Sequence, residues 1–409
     1  MKIWFVSHYA MPPKYEMREK TQKFAQFFKN IGHEVLLVTA STIHGSDINL
    51  ISDNRAFIEA EYDGLKYLHI RCSNYTGNGL SRIVNMLEFG WRLKRNIGKF
   101  DIPNVIVADV NCINYRAIAD ICKKYNIRFI IDIRDLWPLS IVEYLNISEK
   151  NPIIKYLYHR EKSMYIRADE IIFSMEGGWD YIVDKGWTKY IDKQKVHHIN
   201  NGVDLAAFER NCLENVFIDS DIDDQTTFKI VYTGSIRRAN NIDFVLDAAM
   251  LIKDPFIKFL IWGDGDQLSR LRQRVVDESI NNVLFKGKVE KKFIPSIVSR
   301  ADATFFILEN SLLFRFGLSL NKSFEYLAAG KPQLVVGNAK YTIMDNYQCG
   351  IHVRKVSEHD FAEAVQYLAN LDSAQYERMC RNARNASSEY DYPVLCERLY
   401  SIIGGGVRI

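Results

Sequence analysis

The sequence predicts an α/β protein built from two doubly wound, mostly parallel sheets. Three observations carry that expectation. The chain has 409 residues, enough for two domains that each bury a core of their own. Short apolar runs alternate along it with segments of helical spacing, the pattern of βαβ units. Polar, charged and glycine-rich residues gather just past several of those runs, and ligands of such sheets bind beyond the carboxyl ends of the strands.

The first half opens with Ile3-Trp4-Phe5-Val6, a turn-rich Met11-Pro12-Pro13-Lys14, and Met17, Phe24, Phe28 and Ile31 at helical spacing. Gly32-His33 ends that helix before a second strand at 34–38. Arg18 lies in the loop at a strand's carboxyl edge, where it is a candidate for a phosphate or an acceptor; an ordinary solvated arginine is the competing reading. A strand at 105–108, a helix at 114–125 and a strand at 128–132 follow. Directly after comes Arg134-Asp135-Leu136-Trp137-Pro138. Charged and aromatic residues crowded at a strand's end make Asp135 and Arg134 candidates for chemistry; the alternative is a capped loop in which Trp137 fills a gap. Residues 79–100 interleave Ile83, Met86, Leu87, Phe89, Trp91 and Leu93 with Arg82, Arg92, Lys94, Arg95 and Lys99. Such a helix suits an anionic membrane surface, or it packs on the sheet as a plain amphipathic helix. A helix at 161–168 and a strand at 169–174 come next. His197 and His198 are adjacent in a strand, so they face opposite sides and are poor candidates for one metal.

The acidic, turn-prone residues 211–227 read as the linker, giving domains of 1–210 and 211–385 with a terminal stretch of 386–409. Asp221-Ile222-Asp223-Asp224 has the look of an acidic metal-holding triplet, but it precedes a strand rather than ending one. That strand, 229–232, leads into Thr233-Gly234-Ser235-Ile236-Arg237-Arg238. Gly234 lets backbone approach a ligand and two arginines follow, the makings of a phosphate cradle. Gly263-Asp264-Gly265 supplies two glycines of a dinucleotide fingerprint, yet Leu268 stands where the third belongs, which argues mildly against NAD.

The densest site pattern is Gly317-Leu318-Ser319-Leu320-Asn321-Lys322-Ser323-Phe324-Glu325, running on to Gly330 and Pro332. It reads as a loop entering a short helix, with Ser319 or Asn321 as cap and a hard stop at Gly330. Unpaired amides at a helix N-terminus favour an anion such as a diphosphate. Lys322 adds charge there, and Glu325, one turn on, is placed to accept from two ribose hydroxyls.

Bulk properties narrow the class. Lys and Arg exceed Asp and Glu by only 53 − 50 = 3, so no bulk charge points to nucleic acid. The seven cysteines are scattered without C-x-x-C spacing and read as small buried hydrophobes in a reducing compartment. A strand at the very start, no signal-peptide pattern and no membrane-length apolar run make a cytoplasmic protein the expectation.

Together, Gly32-His33-Glu34-Val35, Asp132-Ile133-Arg134-Asp135-Leu136-Trp137-Pro138, Asn201-Gly202-Val203-Asp204, Tyr232-Thr233-Gly234-Ser235, Gly263-Asp264-Gly265 and the 321–332 helix resemble, in order and spacing, the GT-B glycosyltransferases of family 4. The Arg-Asp-Leu-Trp-Pro run looks most like the branch that builds bacterial surface polysaccharides on lipid carriers. The resemblance implies two Rossmann-like domains facing across a cleft, with acceptor on the first, nucleotide-sugar donor on the second, and the terminal helix crossing back. Carried over by position, Glu325 would hold the ribose, amides around Leu318, Ser319 and Leu320 would face the diphosphate, and Lys288 and Val289 would line the base pocket. Asp135 or Arg134 falls near the family's catalytic residue. Two departures stand out. Gly317 occupies the position of a glutamate that touches the donor sugar. Ser235 and Asn240, both neutral, fall near the usual basic pair, so Arg237 or Arg238 with Lys322 is expected to supply the charge.

The resulting expectation is a retaining, metal-independent transferase without cofactor. It would move a sugar from a nucleotide donor, UDP-linked by preference, to a lipid-linked or saccharide acceptor at the inner membrane face, in O-antigen or capsule synthesis. A nucleotide-sugar epimerase and a non-catalytic partner of the same fold are the alternatives.

Overall fold

The computed structural model describes residues 1–15, 19–77 and 79–404. The chain divides into two compact units, Met1–Asn200 together with Leu395–Ile409, and Asn201–Val394.

The first unit is built on eight strands: β1 (Lys2–Ser7), β2 (Glu34–Ala40), β3 (Phe57–Tyr62), β4 (Leu65–Ile70), β5 (Val105–Asp109), β6 (Arg128–Ile133), β7 (Glu170–Phe173) and β8 (Val196–His198). They form one sheet in the order β3-β4-β2-β1-β5-β6-β7-β8. Every pairing is parallel except β3 with β4. Ile3, Trp4, Phe5 and Val6 are all buried, as a parallel sheet covered on both faces requires. The β3–β4 hairpin, absent from the sequence reading, turns at Asp63 and Gly64, both at positive φ, which is the geometry that Asp-Gly favours between paired strands. The 79–100 segment is a helix at Leu80–Asn96 followed by a single 3-10 turn. It buries Met86, Phe89 and Leu93 against the sheet. On its other side Leu80, Val84, Leu87 and Trp91 are exposed.

The second unit holds β9 (Phe228–Thr233), β10 (Ile257–Trp262), β11 (Val283–Gly287), β12 (Ala303–Ile307), β13 (Gln333–Val336) and β14 (Gly350–Val353). All pairings are parallel and the order is β11-β10-β9-β12-β13-β14. The order reverses between β9 and β12, so the switch point of this doubly wound sheet lies there. Phe244, Phe259, Phe305 and Phe361 fill one face, and Trp262, Phe306, Phe324 and Tyr326 the other.

The division differs from the expected one. The supposed linker at 211–227 is part of the second unit. It includes the end of helix Leu205–Glu214 and the turn of helix Ser220–Asp223. Ile222 is fully buried against Trp262 and Phe306. The acidic composition that suggested solvation is met by cations: Lys286 binds Asp219 and Asp221, and Arg300 binds Asp223. Asp224 accepts from the Thr226 amide at 2.8 Å. The chain leaves the first unit after Asn200 and returns at Leu395, within the terminal helix Tyr392–Gly404. There Arg128 donates to the Ile403 carbonyl, and Tyr400 meets Phe28 and His33.

Candidate functional site

In the first unit the carboxyl ends of β1, β5, β6, β7 and β8 converge on a buried polar network. Lys20, at the start of helix Lys20–Asn30, donates to Asp132 Oδ1 at 3.1 Å, Ser174 Oγ at 3.1 Å and the Ile199 carbonyl at 2.9 Å. Arg134 donates to Asp132 Oδ2 at 3.0 Å and Thr21 Oγ1 at 2.6 Å. It also lies 3.5 Å from Asp109, which accepts from Ser7 Oγ at 2.9 Å. Burial alone would raise the pKa of Asp132, but Lys20 and Arg134 outweigh it and hold the carboxyl below its ordinary value. Arg134 is thus bound into a carboxylate network, while its neighbour Asp135 is exposed. Trp137 packs on Met86, Cys112 and Ile113, the gap-filling role. The two histidines part as strand alternation demands: His197 meets Glu170 at 2.7 Å, whereas His198 is half-buried near Lys20 and Ser174. Arg18 lies outside the described residues.

In the second unit the loop after β9 and the helix Asn321–Ala328, after β12, meet at the switch point. Three of its side chains fix that helix. The Thr233 amide donates to the buried Tyr326 hydroxyl at 2.8 Å. Lys322 Nζ donates to the Tyr232 hydroxyl at 3.0 Å and to Asn240 Oδ1 at 3.3 Å. Buried Ser323 also bonds Gln333 at the start of β13. The capping residue is Leu320, without a side-chain cap, rather than Ser319 or Asn321. Ser319 is instead engaged by Asn201, whose amide reaches Ser319 Oγ at 3.4 Å and whose side chain donates to the Ser319 carbonyl at 3.1 Å. The first-turn amides of the helix therefore lack the usual side-chain acceptor.

The glycines of the loops are explained by close packing. A Cβ on Gly263 would lie 1.8 Å from the Gly234 carbonyl oxygen, and one on Gly265 2.2 Å from that of Ile236. Gly263-Asp264-Gly265 thus seats the β9 loop against β10, with Ile236 N donating to the Asp264 carbonyl at 2.8 Å. At Gly234 a Cβ would meet the Tyr232 hydroxyl at 3.1 Å and Lys322 Nζ at 3.3 Å. Burial pulls the Lys322 pKa down to about 8.

The structure brings Gly234, Ser235, Asn240, Lys322 and the start of helix 321–328 together. Arg237 and Arg238 lie on the same loop, exposed and without an ion pair among the described residues. Glu325 is half-buried one turn below the helix start, and Asn321 is exposed at it. Lys288, exposed, and Val289, packed on the core, follow the end of β11. Gly317 adopts φ 105°, a conformation a glutamate would hold only under strain. Tyr326 was not singled out by sequence reasoning, and Tyr232 and Asn201 entered only as members of the quoted motifs, with no role assigned to either.

This architecture is the GT-B fold: two α/β units with parallel sheets, shared with solved glycosyltransferases. Anabaena HepE, solved with UDP, is 14% identical, covers 99% of this chain and 100% of its own, and superposes with a TM-score of 0.69. Sucrose-phosphate synthase from Thermosynechococcus elongatus gives 16% identity, 99% and 98% coverage and a TM-score of 0.72. WaaG, a glycosyltransferase involved in lipopolysaccharide biosynthesis, gives 12%, 99% and 100%, and 0.65. Residues 218–386, within the second unit, match the family model described as glycosyl transferases group 1. No curated protein matches the chain in sequence.

Proposed function

We propose that the protein is a retaining glycosyltransferase that moves a sugar from a nucleotide-diphosphate donor, a UDP-sugar, to a lipid-linked or saccharide acceptor in cell-surface polysaccharide synthesis. The observation that carries this reading is the uncapped start of helix 321–328 at the switch point, with the Lys322 ammonium beside it and Glu325 one turn on. As the bond from the anomeric carbon to the diphosphate oxygen breaks, negative charge builds on the diphosphate. Helix amides and Lys322 stabilise that charge without a metal, while the acceptor oxygen forms the new bond on the face the donor leaves and gives up its proton to the departing diphosphate oxygen. Arg237 and Arg238 add exposed positive charge at the same loop. Ribose would fall to Glu325 and the base to the Lys288–Val289 turn. Asp135 is the first unit's candidate for acceptor chemistry, with Arg134 as its positioned neighbour.

HepE has been solved with UDP, with UDP and glucose, and with UDP-glucose, which favours a uridine donor here. The lipopolysaccharide role printed for WaaG favours a surface-polysaccharide acceptor. No helix among the described residues is long and apolar enough to cross a membrane. Access to a lipid carrier would come through helix Leu80–Asn96, whose exposed Leu80, Val84, Leu87 and Trp91 stand among basic residues. Gly317 favours an altered grip on the sugar, and leaves a non-catalytic partner as the second reading. Thermal stabilisation by a panel of nucleotide sugars, followed by release of nucleoside diphosphate with a lipid-linked acceptor, tests both. Stabilisation with acceptor-dependent release supports transfer; stabilisation with no release by any acceptor supports the second reading.

A further inference from the structure

We infer that Tyr232 and Asn240 are positioning residues that hold the Lys322 ammonium where it reads the terminal phosphate of a nucleoside diphosphate, setting the preference for diphosphate over monophosphate. This rests on the donor-site reading above and names the groups that give it selectivity.

A free lysine head is a poor selector, because a flexible four-carbon stem must be ordered each time it engages a ligand. Here the ordering is done before any ligand arrives. The Tyr232 hydroxyl donates to the Ser235 carbonyl at 2.8 Å, so its lone pairs are left to accept from Lys322 Nζ at 3.0 Å. The ammonium also lies 4.4 Å from the centre of the Tyr232 ring, close enough for the ring's quadrupole to attract it. Asn240 has its orientation set from both ends: Nδ2 donates to Ser235 Oγ at 3.0 Å and Oδ1 accepts from Lys322 at 3.3 Å. An ammonium has three hydrogens, and these contacts occupy two. Lys322 forms no ion pair with a carboxylate among the described residues, so its charge is not neutralised within the unit. The third hydrogen, the Ser235 hydroxyl proton and the uncapped amides of Asn321 and Lys322 form one set of donors; the Ser323 amide is already bonded to the Leu320 carbonyl at 3.0 Å. A monophosphate attached to a bound nucleoside is one phosphate too short to use all of it.

The test is titration calorimetry of the full chain with UDP and UMP, with the ADP/AMP, GDP/GMP and TDP/TMP pairs run alongside. The wild type should prefer one diphosphate over its monophosphate by roughly 10- to 100-fold, the scale of one charge-assisted hydrogen bond. Lys322→Ala should abolish the preference. Tyr232→Phe and Asn240→Ala should each reduce it about fivefold or more, with monophosphate affinity unchanged. The exchange variant, Lys322→Asn with Asn240→Lys, should regain part of it, an effect that a general loosening of the fold cannot produce. A wild-type preference left intact in both Tyr232→Phe and Asn240→Ala overturns the positioning role alone. A wild type that binds no nucleotide of either kind overturns the donor-site reading and this inference together.

Discussion

The Thr233 amide and the Tyr326 hydroxyl are 2.8 Å apart, and the hydroxyl returns a bond to the Thr233 carbonyl at 3.3 Å. Both residues are buried, and the pair ties the last residue of β9 to the helix that carries Lys322 and Glu325. Tyr326→Phe removes these two bonds together with the one from Thr233 Oγ1 at 3.3 Å, and leaves a buried amide unsatisfied. Stability should fall by about 1–3 kcal/mol, read as a lower denaturant midpoint at constant slope, with weaker nucleotide binding. An unchanged midpoint would show that the tether contributes nothing.

The Gly263–Gly234 approach leaves no room for a methyl group. Gly263→Ala should destabilise the second unit by roughly 1–3 kcal/mol or more and push the β9 loop out of register with helix 321–328. Gly404→Ala, where a Cβ meets nothing within 4 Å, is the control. Equal melting temperatures for the two variants would refute the packing role.

Lys20 and Asp132 are both buried and joined at 3.1 Å. Lys20→Met strips one partner from a buried carboxylate, a change that costs about 3–5 kcal/mol in comparable pairs. The pH dependence has a definite sign. The folded pKa of Asp132 is held below its unfolded value of about 3.9, so its contribution is fully present above that pH and lost as the pH falls through the folded value. Without Lys20 the folded value rises, and acid unfolding should begin at higher pH. Identical acid titrations of variant and wild type would dismiss the pairing.

Glu161 is fully buried and accepts from the Tyr165 and Tyr181 hydroxyls at 2.7 Å each. Burial pushes its pKa up to about 8, against the two hydrogen bonds and Lys185. The unfolded chain releases this proton near pH 4.3 and the folded chain only near 8, so between them the unfolded state binds fewer protons. Stability should therefore fall with rising pH in that window, by up to about 1.4 kcal/mol per unit. Glu161→Gln should flatten the slope; a slope that survives would place its origin elsewhere.

Helix Leu80–Asn96 should carry the protein onto phosphatidylglycerol vesicles but not onto phosphatidylcholine ones, with binding weakened by salt. Leu87→Ser with Trp91→Ser should abolish cosedimentation and leave the melting temperature nearly unchanged, since both side chains are half-exposed. Undiminished binding by the double variant would remove this helix from any membrane role.

What the sequence determined by itself is the layered α/β plan and the helix bearing Lys322 and Glu325. Strands buried on both faces must be continuously apolar, as Ile3 to Val6 are, and a glycine-stopped helix writes its own ends, as Gly330 does. The hairpin at Asp63-Gly64 was equally local and went unread. Tertiary structure alone decided the rest. Lys322 and Tyr232 are 90 residues apart, Lys20 and Asp132 112, and no periodicity records which side chains meet across a sheet edge. The acidic run at 219–224 looked solvated because its partners, Lys286 and Arg300, come from distant segments. Gly263-Asp264-Gly265 offered two glycines of a dinucleotide fingerprint because a glycine's lack of a side chain reads the same whether a phosphate or a neighbouring carbonyl needs the space. Hydrogen bonds and ion pairs are short-ranged, so their identity follows from the folded register and not from order along the chain.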